Sequence, residues 1–376
     1  MVELASVVRP GDAIIWGQAC AEPQTLVEML VGQRSRLSGC RVFLGSSFSG
    51  LVRPEHADHL RLTSYCGTGS NRALADSGVL EVLPAPYSQL GSLIRGGHIG
   101  CDVVMVQVSP PNDRGEYSLG LAVEYLAPAL ARARAVIAEV NDQVPWTRTE
   151  PLLRSRDFAL RVESSRNPVF LPSSGPKDAE RAIGAHAAQW VPEGAVLECG
   201  IGALPNAVLH ALRGRRGLGM HTGAVPDGIV DLEPRFCTGG ALMGSQRLFD
   251  WARQFPGLRL RSSDFTHGPD VLREIERFVA INSAVEVDLT GQVNGELARG
   301  SYVGAVGGAL DFARAANQSR SGVSIIVLPA ARVVEHLSGP VSIPRSEAGV
   351  VVTEKGAADL RGCSLRERER RMAAIA

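Results

Sequence analysis

The chain has 376 residues, 45% of them hydrophobic, and its 39 basic residues equal its 39 acidic residues, so the formal net charge is zero. A chain of this length can bury large cores, and its length predicts two or three domains. Zero net charge gives no electrostatic reason to expect nucleic acid or an anionic membrane as the general partner. Seven cysteines are scattered without a CxxC pair, which favours buried reduced thiols over disulfides or zinc.

Targeting and membrane-spanning patterns are not visible in the sequence. The beginning, MVELASVVRPGDAII, has no basic region followed by a long apolar core, and no run of 18 apolar residues occurs. We therefore expect a cytoplasmic protein without a membrane partner.

Short β-rich runs alternate with helical patterns in the first half of the chain. The pattern of Pro23–Arg34 predicts a helix, and the predicted strands are Ala13–Trp16, Arg41–Leu44, Val79–Leu83, Val103–Val108 and Ala135–Val140. The fully apolar strands are typical of a parallel sheet that is covered by helices.

A proline- and glycine-containing segment, Leu171–Pro176, is the predicted linker between the halves. It divides the chain into predicted domains at residues 1–172 and 173–376. Beyond it, Asp178–Gln189 predicts a helix, and the predicted strands are Ala195–Glu198, Leu258–Arg261, Phe278–Ile281, Ser324–Val327 and Gly349–Thr353. Strands that alternate with helices in both halves predict an α/β fold with two open α/β domains.

Two glycines, Gly200 and Gly202, lie between the predicted strand Ala195–Glu198 and a helix predicted from Asn206. In an open α/β sheet this position commonly holds an anionic group on the helix N-terminus. The dinucleotide fingerprint is incomplete, because Asn206 stands where its next glycine would be, so a nicotinamide cofactor is not favoured.

The run from Asn282 to Arg314 has a second glycine-rich turn. An alternating strand, Ala284–Leu289, leads into the polar turn Gly291–Asn294, and the glycine-dense segment Gly304–Gly308 precedes a helix predicted to start at Asp311. Such glycines let a ligand approach the backbone, and their N–H groups can point at a developing negative charge. The alternative is a tight strand-to-helix turn without a ligand.

These motifs resemble the single-chain CoA-transferase family (acetyl-CoA hydrolase/transferase, 4-hydroxybutyrate CoA-transferase-like). Further matching runs follow in order: QVSPPNDRGEYSLG at Gln107–Gly120, EVNDQVPWT at Glu139–Thr147, LECGIGALPNAVL at Leu197–Leu209 and VVTEKGAADLRGCSLRERERRMAAIA at Val351–Ala376. The resemblance implies two α/β domains of CoA-transferase type with the active site in the cleft between them. It also implies an acyl-CoA substrate, a small acceptor and a homo-oligomer. We expect coenzyme A contacts at Gly200, Gly202, Gln292 and Asn294, and an oxyanion site at Gly307 and Gly308.

Two positions depart from the family pattern. The family attacks the thioester with a glutamate in a strand-to-turn motif, and this chain has Gly223 at that position, in the segment His221-Thr222-Gly223. Glycine has no side chain, so a glutamyl intermediate cannot form there. His267 lies at or beside the position of a family asparagine that helps to hold the thioester carbonyl. Because histidine titrates near neutral pH, His267 is a candidate general base.

Several interpretations remain open at this point. The first is an acyl-CoA enzyme that works without a glutamyl-CoA intermediate, by hydrolysis or by direct acyl transfer. The second is a conventional CoA-transferase with a relocated carboxylate, and the third is a non-catalytic CoA-binding subunit. His267 can also be a structural turn histidine, and packing is the favoured interpretation for His221. The residues weighed as replacement nucleophiles are Glu22, Asp227, Glu286, Glu296, Cys199 and Cys237.

Overall fold

The computed structural model describes residues 3–172 and 175–376. Its strands are β1 (Ala13–Trp16), β2 (Cys40–Leu44), β3 (Leu60–Ser64), β4 (Leu80–Val82), β5 (Val103–Val108), β6 (Glu116–Tyr117), β7 (Ala135–Asn141), β8 (Leu153–Arg154), β9 (Leu160–Ser164), β10 (Val196–Cys199), β11 (Gly219–Pro226), β12 (Cys237–Met243), β13 (Leu258–Leu260), β14 (Phe278–Ser283), β15 (Glu286–Asp288), β16 (Val293–Asn294), β17 (Leu297–Ala298), β18 (Ser301–Tyr302), β19 (Val323–Val327), β20 (Val333–Val334), β21 (Val350–Thr353) and β22 (Gly356–Asp359).

The α-helices lie between these strands and on the faces of the sheets. They are α1 (Gln24–Gln33), α2 (Asn71–Asp76), α3 (Leu90–Arg95), α4 (Leu126–Arg132), α5 (Asp178–Ala188), α6 (Ala203–Ala211), α7 (Gln246–Gln254), α8 (Ser263–Thr266), α9 (Pro269–Leu272), α10 (Ala309–Gln318) and α11 (Leu365–Ala373). In the part of the chain that the structure describes, none of these helices combines the length and apolar character that crossing a membrane requires.

Two large sheets organise the described residues. The first has the order β4-β3-β2-β1-β5-β7-β9, and the second has the order β13-β12-β11-β10-β14-β19-β21-β22. Neighbouring strands are parallel in both sheets, except that β21 and β22 form an antiparallel pair. The predicted α/β class is therefore confirmed. In each sheet the strand order reverses at one strand, β1 or β10, and ligands of open α/β sheets bind at such switch points.

The two sheets share a hydrophobic core. All six residues of β5 are buried, and five of them are apolar, as expected for a strand covered on both faces. One hydrophobic cluster contains residues from both sheets, including Ile15, Val104, Leu197 and Val279. The space between the sheets is thus closed by a shared core except where polar or glycine residues line a cavity.

Element boundaries differ from the sequence prediction at informative places. Helix α6 begins at Ala203, earlier than the predicted start at Asn206, because Pro205 lies in the first turn, where a missing N–H removes no helical hydrogen bond. Helix α10 likewise begins at Ala309 and not at Asp311. Strand β12 was not predicted, because Gly239 and Gly240 interrupt its apolar pattern.

The predicted domain boundary lies in the segment of the chain that connects the last strand of the first sheet to the first strand of the second sheet. The first sheet ends with β9 at Ser164, and the second begins with β10 at Val196. The predicted linker Leu171–Pro176 includes Ser173 and Ser174, which lie outside the described residues, so the division at residue 172 stays a prediction.

Candidate functional site

The glycines and the histidine singled out by the sequence surround one cavity of about 470 Å³. It lies at the carboxyl ends of the strands, and the second half of the chain lines it with Gly200, Gly202, Gly223, His267, Gly307 and Gly308. The first half lines it with Gln18, just after β1, and with Tyr87 and Glu124. The cavity therefore opens at the switch points of both sheets, where α/β folds bind ligands.

The imidazole of His267 fills the space beside Gly223. A Cβ atom on Gly223 would lie 3.0 Å from Cε1 and 3.1 Å from Nε2 of His267. A Cβ atom on Gly308 would lie 2.5 Å from the same Nε2. A side chain at position 308 therefore clashes with the ring, whereas a side chain at position 223 requires the ring to shift by a few tenths of an ångström.

Two aromatic rings pack against this imidazole. Its ring centroid is 4.7 Å from that of Tyr87 and 4.5 Å from that of Phe312. His267 is 3% exposed, and burial, with a smaller contribution from the charge of His221, lowers its pKa to about 3. At neutral pH the ring is uncharged.

The hydrogen bonds of Thr266 assign the tautomer of His267. The Thr266 hydroxyl donates its single hydrogen to the carbonyl oxygen of Ser262 at 3.2 Å. It must then accept at its 2.9 Å contact with Nδ1 of His267, so Nδ1 carries the ring hydrogen. The free lone pair is on Nε2, the atom that faces Gly223 and Gly308.

His221 holds the segment before His267. Its Nε2 donates to the carbonyl oxygen of Thr266 at 2.9 Å, and its ring packs near Phe265 and Phe278. Burial lowers the pKa of His221. A neutral ring that packs on aromatic side chains and bonds a carbonyl oxygen has the geometry of a structural histidine.

Among the described residues, two carboxylates line the cavity, and sequence analysis identified neither. The first is Glu124, which is 3% exposed. Gln18 Nε2 donates to its two oxygens at 2.9 and 2.8 Å. Gln18 also donates to the Tyr87 hydroxyl at 3.0 Å, which leaves the hydroxyl hydrogen of Tyr87 for Glu124. Burial raises the pKa of Glu124 to about 7, although the bonds from Tyr87 and Gln18 oppose the shift.

The second carboxylate is Glu198, near the end of β10. It is 2% exposed and accepts a hydrogen bond from Asn282 Nδ2 at 2.7 Å. Burial raises its pKa to about 8. The signal for both residues was present in the sequence: each is a lone acid in an apolar run, and such an acid is costly to bury without a role.

The carboxylates weighed as replacement nucleophiles lie in other hydrogen-bond networks. Glu22 accepts from the Ser49 hydroxyl at 2.6 Å and the Phe48 N–H at 2.6 Å, and Asp227 accepts from the Ser245 N–H at 2.8 Å. Glu286 and Glu296 serve the polar turns around β16, where their partners are Asn294, Ser338, Tyr302 and Ser342. Each is thus engaged in holding a loop.

The two cysteines weighed as nucleophiles are buried thiols. Cys199 lines the cavity, and burial raises its pKa well above the ordinary value, as burial also does for Cys237. Because the thiolate is the nucleophilic form, neither thiol is activated by its surroundings.

Gln292 and Asn294 lie beside the cavity and not in its wall. Gln292 Nε2 donates to Asp288 at 2.6 Å. Asn294 is fully buried, and its amide donates to Glu286 at 3.1 Å and to the carbonyl oxygen of Leu297 at 2.8 Å. Their predicted contact with coenzyme A stays a prediction, since the structure shows these amide groups holding the turn.

Two family models match this chain. Residues 1–150 match the acetyl-CoA hydrolase/transferase N-terminal domain, and residues 244–376 match the acetyl-CoA hydrolase/transferase C-terminal domain. The chain is 32% identical to a 4-hydroxybutyrate coenzyme A transferase of Clostridium kluyveri, with 99% of this chain and 92% of that protein covered. It is 31% identical to a succinyl-CoA:acetate/propanoyl-CoA:succinate CoA transferase of Fasciola hepatica, with 85% and 72% covered.

Solved structures show the same similarity in three dimensions. RipA from Yersinia pestis has a TM-score of 0.93 at 29% identity, and 99% of this chain and 92% of that chain are covered. A 4-hydroxybutyrate CoA-transferase from Porphyromonas gingivalis has a TM-score of 0.81 at 29% identity, with the same coverage of 99% and 92%.

Proposed function

Because this chain belongs to the acetyl-CoA hydrolase/transferase family, it acts on acyl-CoA thioesters, and we propose that it does so without a glutamyl-CoA intermediate. The reaction is hydrolysis or direct acyl transfer to a small acceptor. The observation that supports this proposal is the absence of a side chain at Gly223, with the imidazole of His267 3.0 to 3.1 Å from where a Cβ atom would be.

In this proposal the thioester carbonyl lies against the N–H groups of Gly307 and Gly308. A water or acceptor molecule approaches the carbonyl carbon, and its O–H or N–H group donates to Nε2 of His267, which has the free lone pair. Attack makes the carbonyl oxygen negative, and each well-placed N–H donor stabilises that charge by roughly 3 kcal/mol. The carbon–sulfur bond then breaks, and coenzyme A leaves as its thiolate, which takes up the proton that the nucleophile has lost.

The loop before α6 fits a coenzyme A contact. Gly200 and Gly202 line the cavity, Gly202 has a φ of 128° that L side chains rarely adopt, and helix α6 presents its N-terminal N–H groups next to them. Ile201 between them is 47% exposed and can cover an apolar part of the ligand. A cytoplasmic location and a homo-oligomeric assembly stay predictions of the sequence.

Turnover and trapping test the proposal together. Wild-type protein is incubated with acetyl-CoA, released thiol is followed, and hydroxylamine or borohydride is added before peptide mass spectrometry. We expect thiol release and no modified glutamate. His267→Ala should lower the rate, because the nucleophile loses the hydrogen bond to Nε2 that orients it, while coenzyme A binding is kept.

The matched control is His56→Ala. His56 is also buried, has its pKa lowered mainly by burial, and accepts a hydrogen bond from the Arg53 N–H at 3.1 Å outside the cavity wall. Its loss should affect stability and not the rate. Equal rates for wild type and His267→Ala would contradict the role of His267, and absence of thiol release would favour a non-catalytic CoA-binding subunit.

A conventional CoA-transferase with a relocated carboxylate is the second candidate function. The observation in its favour is that Glu124 and Glu198 line the cavity. A hydroxamate or reduced product at either residue after incubation with acyl-CoA would establish this function and overturn the first.

A further inference from the structure

The proposed attack on the thioester needs a base, a group that accepts the proton lost by the nucleophile and holds it until coenzyme A leaves. His267 is enclosed by Tyr87 and Phe312, and the same burial that leaves Nε2 unprotonated makes the imidazolium unfavourable. The imidazole can orient the nucleophile through a hydrogen bond, but it is a weak final proton acceptor.

We propose that Glu124 is the catalytic base of this cavity, the residue that accepts the proton from the attacking water or acceptor, an inference that rests on the proposed function. In the step, the O–H or N–H bond of the nucleophile breaks and its proton moves to a carboxylate oxygen of Glu124. The nucleophile bonds to the thioester carbon, and the carbonyl oxygen becomes the oxyanion. When the oxyanion collapses, the carbon–sulfur bond breaks, and the thiolate takes the proton from Glu124.

The position of Glu124 is the first support. A Cβ atom on Gly240 would lie 2.8 Å from the carbonyl oxygen of Gly223 and 3.0 Å from Cγ of Glu124. The glutamate side chain therefore lies beside the main chain of Gly223, the position from which the family's nucleophile is missing. Gly240 has no side chain to separate them.

Tyr87 joins this carboxylate to the rest of the site. Its hydroxyl bonds Glu124, its ring packs on His267, and its N–H donates to the carbonyl oxygen of Gly307 at 2.9 Å. The carboxylate, the imidazole and the glycine turn are thus arranged around one residue, within the wall of one cavity.

The backbone and the hydrogen bonds of Glu124 fix its orientation. Its φ is 37°, in the left-handed region that non-glycine residues rarely adopt and that occurs often at functional sites. Its N–H bonds the carbonyl oxygen of Arg261, and its carbonyl oxygen accepts from the Ser263 N–H at 3.1 Å. Arg261 and Ser263 thus fix the main chain of Glu124, and Gln18 and Tyr87 hold its carboxylate.

The charges around Glu124 leave burial as the main influence on its titration. Burial, with a smaller contribution from the charge of Glu124, raises the pKa values of Tyr65, Tyr87 and Tyr125, so these phenols are neutral. The guanidinium of Arg261 is directed to Glu150 at 3.1 Å and to the ring of Phe265. A base with a pKa of about 7 is ionised in a large fraction at neutral pH and still accepts protons well.

Rates measured against pH test this inference on the full chain. Thiol release from acetyl-CoA is measured as kcat/KM between pH 5 and 9.5 for wild type, Glu124→Gln and Glu124→Asp. For wild type, we expect kcat/KM to rise with pH and the midpoint of this rising limb of the pH profile to lie near 7. Glu124→Gln should lose that limb and a hundredfold to ten-thousandfold in rate, whereas Glu124→Asp should keep the limb at a reduced rate.

Two further variants separate catalysis from structure. Glu139→Gln replaces another buried carboxylate, which accepts from the Thr25 N–H at 2.8 Å and lies outside the cavity wall, so it should keep both rate and limb. A limb that survives in Glu124→Gln, or that is lost only in Glu198→Gln, would overturn this inference while leaving the proposed function in place. Absence of thiol release by wild type would overturn the proposed function and this inference with it.

Discussion

The two walls of the cavity are built from different kinds of groups. The wall from the first sheet, here the polar wall, consists of side chains that hydrogen-bond to one another: Gln18, Ser46, Tyr65, Tyr87 and Glu124. The wall from the second sheet, here the glycine wall, presents main chain and one imidazole: Gly200, Gly223, Gly307, Gly308 and His267.

This difference shows that the two walls of one cavity control different properties: protonation in one, and access to the main chain in the other. In the polar wall each group is oriented by its neighbours, so its protonation state is a property of the network. In the glycine wall the missing side chains decide what can approach the main chain, and the imidazole depends on those glycines for its space. A substitution in the polar wall should therefore act by leaving hydrogen-bonding groups unpaired, and a substitution in the glycine wall by crowding the imidazole.

The largest effect is expected at the glycine wall, from Gly223→Glu. Its Cβ would lie 3.0 Å from Cε1 of His267, whose ring is held between Tyr87 and Phe312. We expect a loss at or above the upper end of roughly 1–3 kcal/mol in the free energy of unfolding, the usual cost of overpacking. Denaturant unfolding measures it.

The double variant Gly223→Glu/His267→Asn is the control for this expectation. It removes the ring that the new side chain would meet, so much of the lost stability should return. The double variant, and not the single one, should also form a glutamyl adduct with acyl-CoA. Equal stability of wild type and Gly223→Glu would show that the imidazole does not depend on glycine.

A smaller effect is expected in the polar wall, from Gln18→Leu. The amide donates to Glu124 and Tyr87, and its oxygen accepts from the Ser46 N–H and the Tyr65 hydroxyl, both at 2.8 Å. Leaving such buried groups unpaired costs roughly 1–3 kcal/mol, and we expect about 2 kcal/mol of unfolding free energy to be lost.

Gln24→Leu is the matched control for the polar wall. Gln24 is also buried, but its amide donates one bond to the carbonyl oxygen of Asn167 at 3.0 Å, away from the cavity. Its loss should cost about 1 kcal/mol or less. Equal costs for the two glutamine variants would show that the polar wall does not act as a network.

The pH dependence of stability offers a third test, at Glu198. The folded state raises the pKa of Glu198 from 4.5 to about 8. Between these two pH values the carboxyl group is protonated in the folded state and ionised in the unfolded chain. The contribution of Glu198 is complete below about pH 4.5 and is lost as the pH rises towards 8. Glu198→Gln should therefore gain stability relative to wild type between pH 5 and 9.

Urea unfolding at pH 5, 7 and 9 measures this change. One pKa unit corresponds to about 1.4 kcal/mol, so the relative gain should exceed about 1 kcal/mol. His267 has the opposite sign, because its lowered pKa makes the fold less stable as the pH falls from 6.5 to about 3. A difference between Glu198→Gln and wild type that does not vary with pH would contradict the raised pKa.

The smallest effect is expected at an exposed ion pair outside the cavity wall. Arg95 at the end of α3 pairs with Asp264 in α8 at 2.7 Å, and their side chains are 52% and 39% exposed. Solvent and salt screen such a pair, so Arg95→Ala should cost less than about 1 kcal/mol. Thermal unfolding of Arg95→Ala and of the control Arg273→Ala, which loses an exposed pair with Asp270 at the end of α9, should give similar shifts.

The sequence predicted much of the architecture because local patterns carry it. Strand β5 has the predicted bounds of Val103–Val108, since an apolar run between polar residues has one compatible position in a covered sheet. The glycines at 200, 202, 307 and 308 were identified because glycine before a helix marks a close approach of the backbone. The family followed from motif order alone.

The contacts that make the cavity chemically distinct were decided by tertiary structure. Gly223 and His267 are 44 positions apart in the printed sequence, and only packing shows that the ring of one fills the space beside the other. Glu124 and Glu198 were missed for the same reason, because an acid in an apolar run does not reveal which cavity it faces. A side chain's burial, its partners and hence its pKa depend on atoms brought together from both sheets, and a linear pattern does not contain those distances.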